Sequence, residues 1–593
     1  MATPTATPTA PSSTTSATTD DTASDTAATG AATGAATVSN IPAELGFADA
    51  LAQGLLQRFP DPLRLSQALV FLPTRRGCRA VQEAFLRATA GQPLLLPRLI
   101  PLGDLDAEEL LLTQEENWVA GPGETDLPQA LPALTRQLLL TRTILAWHQQ
   151  RTPKEVPPVD QAARLAQELG RLLDQVETEG LSFDRLADLV PEDYADHWQE
   201  TLEFLSIVTQ AWPAIEQEQD CIGLAARRRL LHDAQARQWR ATPPSGPVIA
   251  AGSTGSIPST ARLLVTIARL PQGEVVLPGL DRSCDDQAWQ ALASDPTHPQ
   301  YGLAGLLRHM KLERNQVGDW LSDRRAAPHS PRLSVSPAGR GRLINLALAT
   351  AERTSDWAQL AKQTTAGPFT PAAVQAALAQ VSRLDAPDPG AEAGAIALLL
   401  RQALETPGKT AALVTPDRPL ARRVAAELRR WGVEVDDSAG VPLSETPPVQ
   451  FLRLTAQLIA DNCAPVSLLS VLKHPLAAGG LAPASFRRLA RQLERALLRG
   501  PRPNPGFEGL LAALESAAGD KRRWPSEVKV DVLADWIGDL ARRAHPFTDA
   551  FHRGSFQAVI DGHLSFAEAL AASDRESGAE RLWVEEAGKA AAT

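Results

Sequence analysis

Cysteine is scarce in this sequence: 593 residues carry four, at positions 78, 221, 284 and 463. That spacing offers no CxxC-type metal site and too few bridges to staple so long a chain, so reduced, structural thiols are expected. Long apolar runs are missing too. Stretches such as Ala395–Leu400 and Ala411–Val414 fall far short of the roughly 20 residues a bilayer-spanning helix needs, so no membrane span is expected. No Lys or Arg precedes Arg58, which leaves no basic region for a secretory signal and no arginines for an organelle transit peptide. A cytoplasmic location is expected. Positive charge is in deficit overall, with 58 Lys and Arg against 69 Asp and Glu and a net charge of −11. This excludes a wholly basic nucleic-acid binder, because sequence-independent affinity comes from Lys and Arg neutralising phosphates, and any such contact must be local. HExxH and GxSxG are absent, and the 10 histidines are dispersed.

What is present is core-forming material: 44% of the residues are hydrophobic and 12 are Trp, enough for three or four domains. Residues 1–38 are almost wholly Ala, Thr, Ser, Pro, Gly and Asp, a composition that buries too little apolar surface to offset ordering, so a disordered tail is expected. A helix is predicted over Phe47–Arg58. Ala68–Leu72 reads as a buried strand that ends at Pro73, with Thr74 placed to cap the helix that follows through Leu86. This is the strand-to-helix unit of a parallel α/β sheet.

From about 104 the pattern turns helical, over Leu131–Trp147, Ala162–Val176 and Trp198–Trp212, with few strand signals. Strands return at Val248–Ala251 and Val275–Leu277, separated by a helix over Ser259–Leu270. A Pro-, Ser- and Arg-rich stretch at 326–342 and another at Asp385–Gly390 precede a second expected α/β unit. That unit reads as helix Ala391–Glu405, strand Ala411–Val414, helix Pro419–Trp431 and strand Val433–Val435. After about 476 the chain is Arg-rich and helical. The expected divisions are therefore 39–103, an insertion at 104–243, a return at 244–385, a second α/β unit at 386–476 and a helical region at 477–593.

Candidate chemistry is local. Gly408-Lys409-Thr410 resembles the end of a phosphate-binding loop, but Ala403 stands where that motif needs its first glycine, and a helix precedes it where a strand is required. A turn is expected. Gly252–Ser256 follows a strand and opens a helix, where backbone N–H groups can cradle an anion, yet it lacks lysine; a tight turn and a phosphate contact are both open. Pro73-Thr74-Arg75-Arg76, with Arg79 one turn on, places cations and a hydroxyl at a helix N-terminus. Such a site can grip phosphate through guanidinium donors and the helix dipole, or be a solvated cap. Thr415-Pro416-Asp417-Arg418, followed by Arg422 and Arg423, repeats the design and suggests a shared nucleic-acid track. Glu527-Val528-Lys529, with Asp520 upstream, has the spacing of a metal-dependent nuclease without the apolar strand such a site needs. His474 is expected to close a helix.

The segments ALVFLPTRRGCRAVQEAFLR (68–87), LLLPRLIPLGDLD (94–106), VIAAGSTGSIPSTARLL (248–264), VVLPGLD (275–281), DPTHPQYGL (295–303) and the run 411–443 together resemble AddB, the B subunit of bacterial AddAB helicase-nucleases, in its alphaproteobacterial form. The resemblance spans roughly 40–593. It implies a superfamily 1 helicase-like fold related to UvrD and RecB, with parallel sheets 1A and 2A carrying helical insertions 1B and 2B. It also implies double-strand break resection with an AddA-type ATPase partner, contact with single- and double-stranded DNA ends, and inspection of the single strand for the Chi signal. By that likeness Thr74, Arg75, Arg76 and Arg79 touch single-stranded DNA, and Thr415, Arg418, Arg422 and Arg423 lie in the equivalent region of 2A.

Two departures from a helicase stand out. The phosphate loop is replaced by Leu45-Gly46-Phe47-Ala48, and the magnesium-binding acidic motif by Ala250-Ala251-Gly252. Gly46, Phe47, Ala48, Ala251 and Gly252 therefore form a degenerate nucleotide site, and no ATPase activity is expected. The resemblance also implies a C-terminal nuclease domain with an iron-sulfur cluster on four cysteines, and magnesium. Both are expected only in such a domain and not in these residues. The alternatives are a scaffold that binds only protein and a nucleotide-using, doubly wound enzyme.

Overall fold

The computed structural model describes residues 35–102, 128–183 (except 152 and 155), 201, 204–321, 339–358 (except 356), 362, 370–518 and 529–592. The chain divides into two compact units, one ending at Ser382 and the other beginning at Arg383. Most of the expected tail, the 520–528 segment and most of the 326–342 stretch lie outside the described residues.

The first unit is α/β. Its strands are β1 (Val38–Ile41), β2 (Leu69–Leu72), β3 (Arg98–Pro101), β4 (Gln129–Ala130), β5 (Cys221–Ile222), β6 (Val248–Ala251), β7 (Gly273–Pro278) and β8 (Gly318–Asp319). Six of them form one sheet in the order β3-β2-β6-β7-β1-β8, and every pairing is parallel. Because successive side chains point to opposite faces, each strand serves two cores. Val70, Leu72, Ile249, Ala251 and Val276 face one side, packed by helices Phe47–Arg58 and Arg75–Ala88. Phe71, Val248, Ala250, Val275 and Leu277 face the other, packed by helices Leu224–Ala241, Pro258–Ala268 and Tyr301–Met310. Side chains such as Leu264 and Ile267 are fully buried there, each stabilising by about 1.5–3 kcal/mol. Trp320, just past β8, fixes the first helix: its indole N–H donates to the Ala50 carbonyl at 3.1 Å, and the Arg58 guanidinium lies 3.5 Å over its ring. Gly54 is required beneath that indole, since a Cβ there would overlap it.

β1 is a correction to the expected tail boundary. Its Ser39 and Asn40 disguise the strand in sequence, yet both are buried and satisfied, Ser39 donating to Glu274 and Asn40 accepting from the Leu280 N–H at 2.8 Å. The described residues between β3 and β6 are mostly helical, with Ala133–Arg151 and Val159–Glu179, as expected, packed as a pair around Leu140, Ile144, Ala166 and Leu173. The patterning did not reveal the two-residue parallel ladder of β4 and β5 that joins its ends. Nor does its last predicted helix stop at Trp212. A π turn at Ile207–Ala211, in which the Trp212 N–H reaches the Ile207 carbonyl, leads into helix Trp212–Gln219. Pro213 lacks the N–H that a regular turn would use at this point.

The second unit departs further. Helices Pro389–Leu404 and Arg418–Arg429 pack together through Ala393, Ala397, Leu420, Val424 and Leu428, but Ala411–Val414 and Val433–Val435 form no strand among the described residues. A parallel strand needs cover on both faces and neighbours on its edges. Here Leu413 and Val433 only pack against the helix pair, while Val414 is 93% exposed. The expected 2A sheet is therefore not formed by these residues. The described residues that follow are mostly helical, from Pro447–Ala460 to Glu585–Ala592, around a core that includes Phe451, Phe486, Leu514, Leu533 and Phe566. His474 belongs to that core, tilted against Phe451 at 5.1 Å, and Lys473 is the helix cap in its place. No helix among the described residues is long and apolar enough to cross a membrane.

His232 ties helix Leu224–Ala241 to Pro258–Ala268, its Nδ1 3.3 Å from the Ser259 hydroxyl. Its Nε2 has no partner among the described residues. Burial holds its pKa down at about 4, reinforced by Arg228 and Arg262 and opposed by Asp233. The unfolded chain takes up this proton near pH 6.5, so the contribution of neutral His232 is complete above that pH and is lost as pH falls toward 4. The loss amounts to about 3 kcal/mol. Urea unfolding between these pH values is expected to show a slope shallower by up to one proton in His232→Gln than in the parent chain; an unchanged slope would contradict the assignment.

Candidate nucleic-acid interface

All six strands point the same way, so the carboxyl ends of β1, β2, β6 and β7 share one edge, where open α/β sheets place their ligands. β1 leads through Pro42–Gly46 into helix Phe47–Arg58, and β2 leads through Pro73 and Thr74 into helix Arg75–Ala88. β6 leads through Gly252–Ile257 into helix Pro258–Ala268.

The residues expected to form a degenerate nucleotide site come together on this edge. Gly252 has φ 80°, and a Cβ on it would meet the Phe47 ring at 3.1 Å and Pro73 Cδ at 3.5 Å. The Phe47 ring therefore lies against the end of β6, beside the start of the β2 turn. Gly46 is the N-cap and offers no side-chain capping bond, and Ala48 adds no polar group to the first turn. Asp49, the acid of that turn, is bound by Arg87 at 2.8 Å. Glu44 adds a negative charge to the loop, where its carboxylate packs against Gly341 of helix Arg340–Ala347. Triphosphate requires cations and N–H donors, and its magnesium requires a carboxylate. An aromatic ring, an acid in the loop and the Ala251-Gly252 terminus of β6 do not fit a magnesium nucleotide.

The adjoining turn is different. Thr74 is extended, and its hydroxyl oxygen accepts from the Gly77 N–H at 3.1 Å, which makes it the cap the sequence predicts. Arg75 and Arg76 occupy the first two helical positions and Arg79 lies one turn on, all exposed. Arg79 makes no ion pair among the described residues. The helix dipole, the first-turn amides and three guanidinium groups thus favour an anion here.

The repeat of this design in the second unit is chemically unlike it. Thr415 accepts from the Asp417 N–H at 3.0 Å, and Asp417 itself caps the helix by accepting from the Leu420 N–H at 3.3 Å. Arg418 is held by both oxygens of Asp437, at 3.0 and 2.6 Å, and Arg422 by Glu445 at 2.9 Å. Only Arg423 of this set is exposed without an ion pair among the described residues. Gly408, at φ 74°, makes a turn.

Sequence reading missed the group that shapes the β7 end of the edge. Gln300 donates to the Gly279 carbonyl at 3.0 Å and accepts from the Asp281 N–H at 3.1 Å, locking that turn. Its signal was the DPTHPQYGL segment, whose polar residues had no assigned work. Among the described residues, no group of three or more His, Cys, Asp or Glu side chains is placed to hold a metal ion. A scan against models of known protein families returns no match, and a search of curated proteins returns none either.

Thr74→Ala is expected to lower stability by about 1 kcal/mol through loss of the cap, with Thr74→Ser close to the parent. Equal loss in both variants, read by chemical denaturation, would show that the hydroxyl is not the capping group.

Proposed function

We propose that this chain handles DNA as the non-ATPase subunit of an ATP-driven helicase-nuclease that resects double-strand breaks, as its resemblance to AddB implies. An AddA-type partner supplies the motor, and this chain contributes to holding the single strand that is inspected for Chi. The observation that carries the reading is the carboxyl edge of the sheet, where a capped helix N-terminus bearing Arg75 and Arg76 adjoins a nucleotide position filled by Phe47. The all-parallel sheet interrupted by a helical insertion supports the 1A and 1B assignment. The helices after residue 477 are compatible with 2B, whereas the 2A assignment has no strand to support it among the described residues.

Chemistry at this edge is binding and positioning. Guanidinium groups and first-turn amides neutralise and orient phosphates, and sequence-independent affinity follows from counterion release. No hydrolytic step is assigned to these residues. A second reading, a scaffold that binds only protein, is favoured by one feature: Leu398, Leu399, Leu404 and Val414 are exposed in the second unit. A protein partner that covers them is compatible with both readings.

Salt titration of single-strand affinity separates the two. The triple variant Arg75→Ala, Arg76→Ala, Arg79→Ala is expected to bind a labelled mixed-sequence single strand at least about tenfold more weakly. Its log affinity against log salt should be shallower by about 2, because each phosphate neutralised on a single strand adds about 0.7 to that slope. Unchanged affinity in a variant that melts like the parent would remove the phosphate-grip reading.

A further inference from the structure

Helix Pro483–Leu493, extended by a π turn at Glu494–Leu498, divides sharply into two faces. Phe486, Ala490, Leu493 and Leu497 are buried, with the Phe486 ring 5.3 Å from that of Trp536. On the other side Arg487, Arg488, Arg491 and Arg495 are all exposed. At 3.6 residues per turn these four fall within a sector of about 100°. None of them makes an ion pair or hydrogen bond among the described residues. The helix's one carboxylate, Glu494, is taken by Lys473 at 2.7 Å and Arg499 at 3.1 Å.

Several arginines on other helices are compensated locally. Arg164, Arg171, Arg430, Arg542, Arg543 and Arg553 each pair with an acid three or four positions away on the same helix. Like charges stacked one turn apart destabilise a helix. Four uncompensated arginines in a chain of net charge −11 are therefore a local feature set against the composition.

We infer that this face docks the phosphate backbone of double-stranded nucleic acid. Arg487 to Arg495 rise about 12 Å along the axis. A duplex strand carries one phosphate per about 3.4 Å of its axis, so the stripe can meet several at once. No aromatic side chain lies among the four arginines to stack on unpaired bases, the device of single-strand binders. No large apolar anchor is exposed among them either, as a docked peptide helix would need. Sequence-independent contact with paired strands is what remains. The site is separate from the Arg75–Arg79 edge and does not depend on it, and the two differ in the form of nucleic acid held.

The test compares the full chain with the triple variant Arg487→Gln, Arg491→Gln, Arg495→Gln, and with a triple Lys variant at the same positions. Probes are a mixed-sequence duplex, a single strand of the same length and a polyglutamate peptide. The Gln variant is expected to lose at least about tenfold in duplex affinity, with a salt slope shallower by about 2.7, since each duplex phosphate neutralised adds about 0.9. The Lys variant should retain most of the binding, single-strand affinity should change less than twofold, and the melting temperature should equal or exceed that of the parent. Unchanged duplex affinity overturns the proposal. So does a loss confined to polyglutamate, which would assign the face to an acidic protein, or a loss confined to the single strand.

Discussion

A parallel sheet has to be covered on both faces, because its strands carry apolar side chains above and below and its βαβ connections lay helices over each side. In the first unit that requirement is met by the two clusters on either side of β2, β6 and β7. The edge formed by the strands' carboxyl ends is where the connecting loops gather, and its chemistry is set by what each strand hands to the next helix. β1 hands over Glu44, Gly46 and Phe47; β6 hands over Gly252, whose missing side chain makes room for the Phe47 ring. β2 hands over a capping threonine and arginines. Packing thus fills one part of the edge with an aromatic ring and leaves a neighbouring helix terminus cationic and exposed.

The second unit obeys a different constraint. With no strand among its described residues, its backbone groups are satisfied within helices, and its stability comes from side chains between them, such as the Phe486–Trp536 and Phe547–His563 ring contacts. Fully buried residues from successive helices converge there, so the outer faces of those helices are free to carry charge. Part of that charge is balanced locally between residues three or four apart, at Arg430, Arg542, Arg543 and Arg553. The stripe on helix Pro483–Leu493 is not balanced in this way, and the polyanion proposed for it would use the same guanidinium–phosphate chemistry as that proposed for the sheet edge.

Elements with continuous apolar runs were legible in the sequence to the residue or nearly so: Phe47–Arg58, Val248–Ala251 and the strand ending at Leu72. The Thr74 cap was legible because a hydroxyl before a helical period leaves few alternatives. β1 was not, because Ser39 and Asn40 read as loop until their partners, Glu274 and the Leu280 N–H, are known, and these lie more than 230 positions away. Ala411–Val414 failed in the opposite sense: its composition is that of a buried strand, but strand formation depends on neighbours that a local window does not contain. Arg418 and Arg422 looked like phosphate ligands because Asp437 and Glu445 are distant in sequence and adjacent in space. The Phe47–Gly252 contact was anticipated only as an absence of lysine and carboxylate; that a ring fills the position is a tertiary fact.

Titration of the full chain with a fluorescent ATP analogue in the presence and absence of magnesium tests the central claim, that side chains have replaced nucleotide at the carboxyl edge. No saturable binding is expected under either condition. Saturable, magnesium-dependent binding that is weakened by Gly252→Val would contradict it, because it would place a phosphate group where the Phe47 ring now lies.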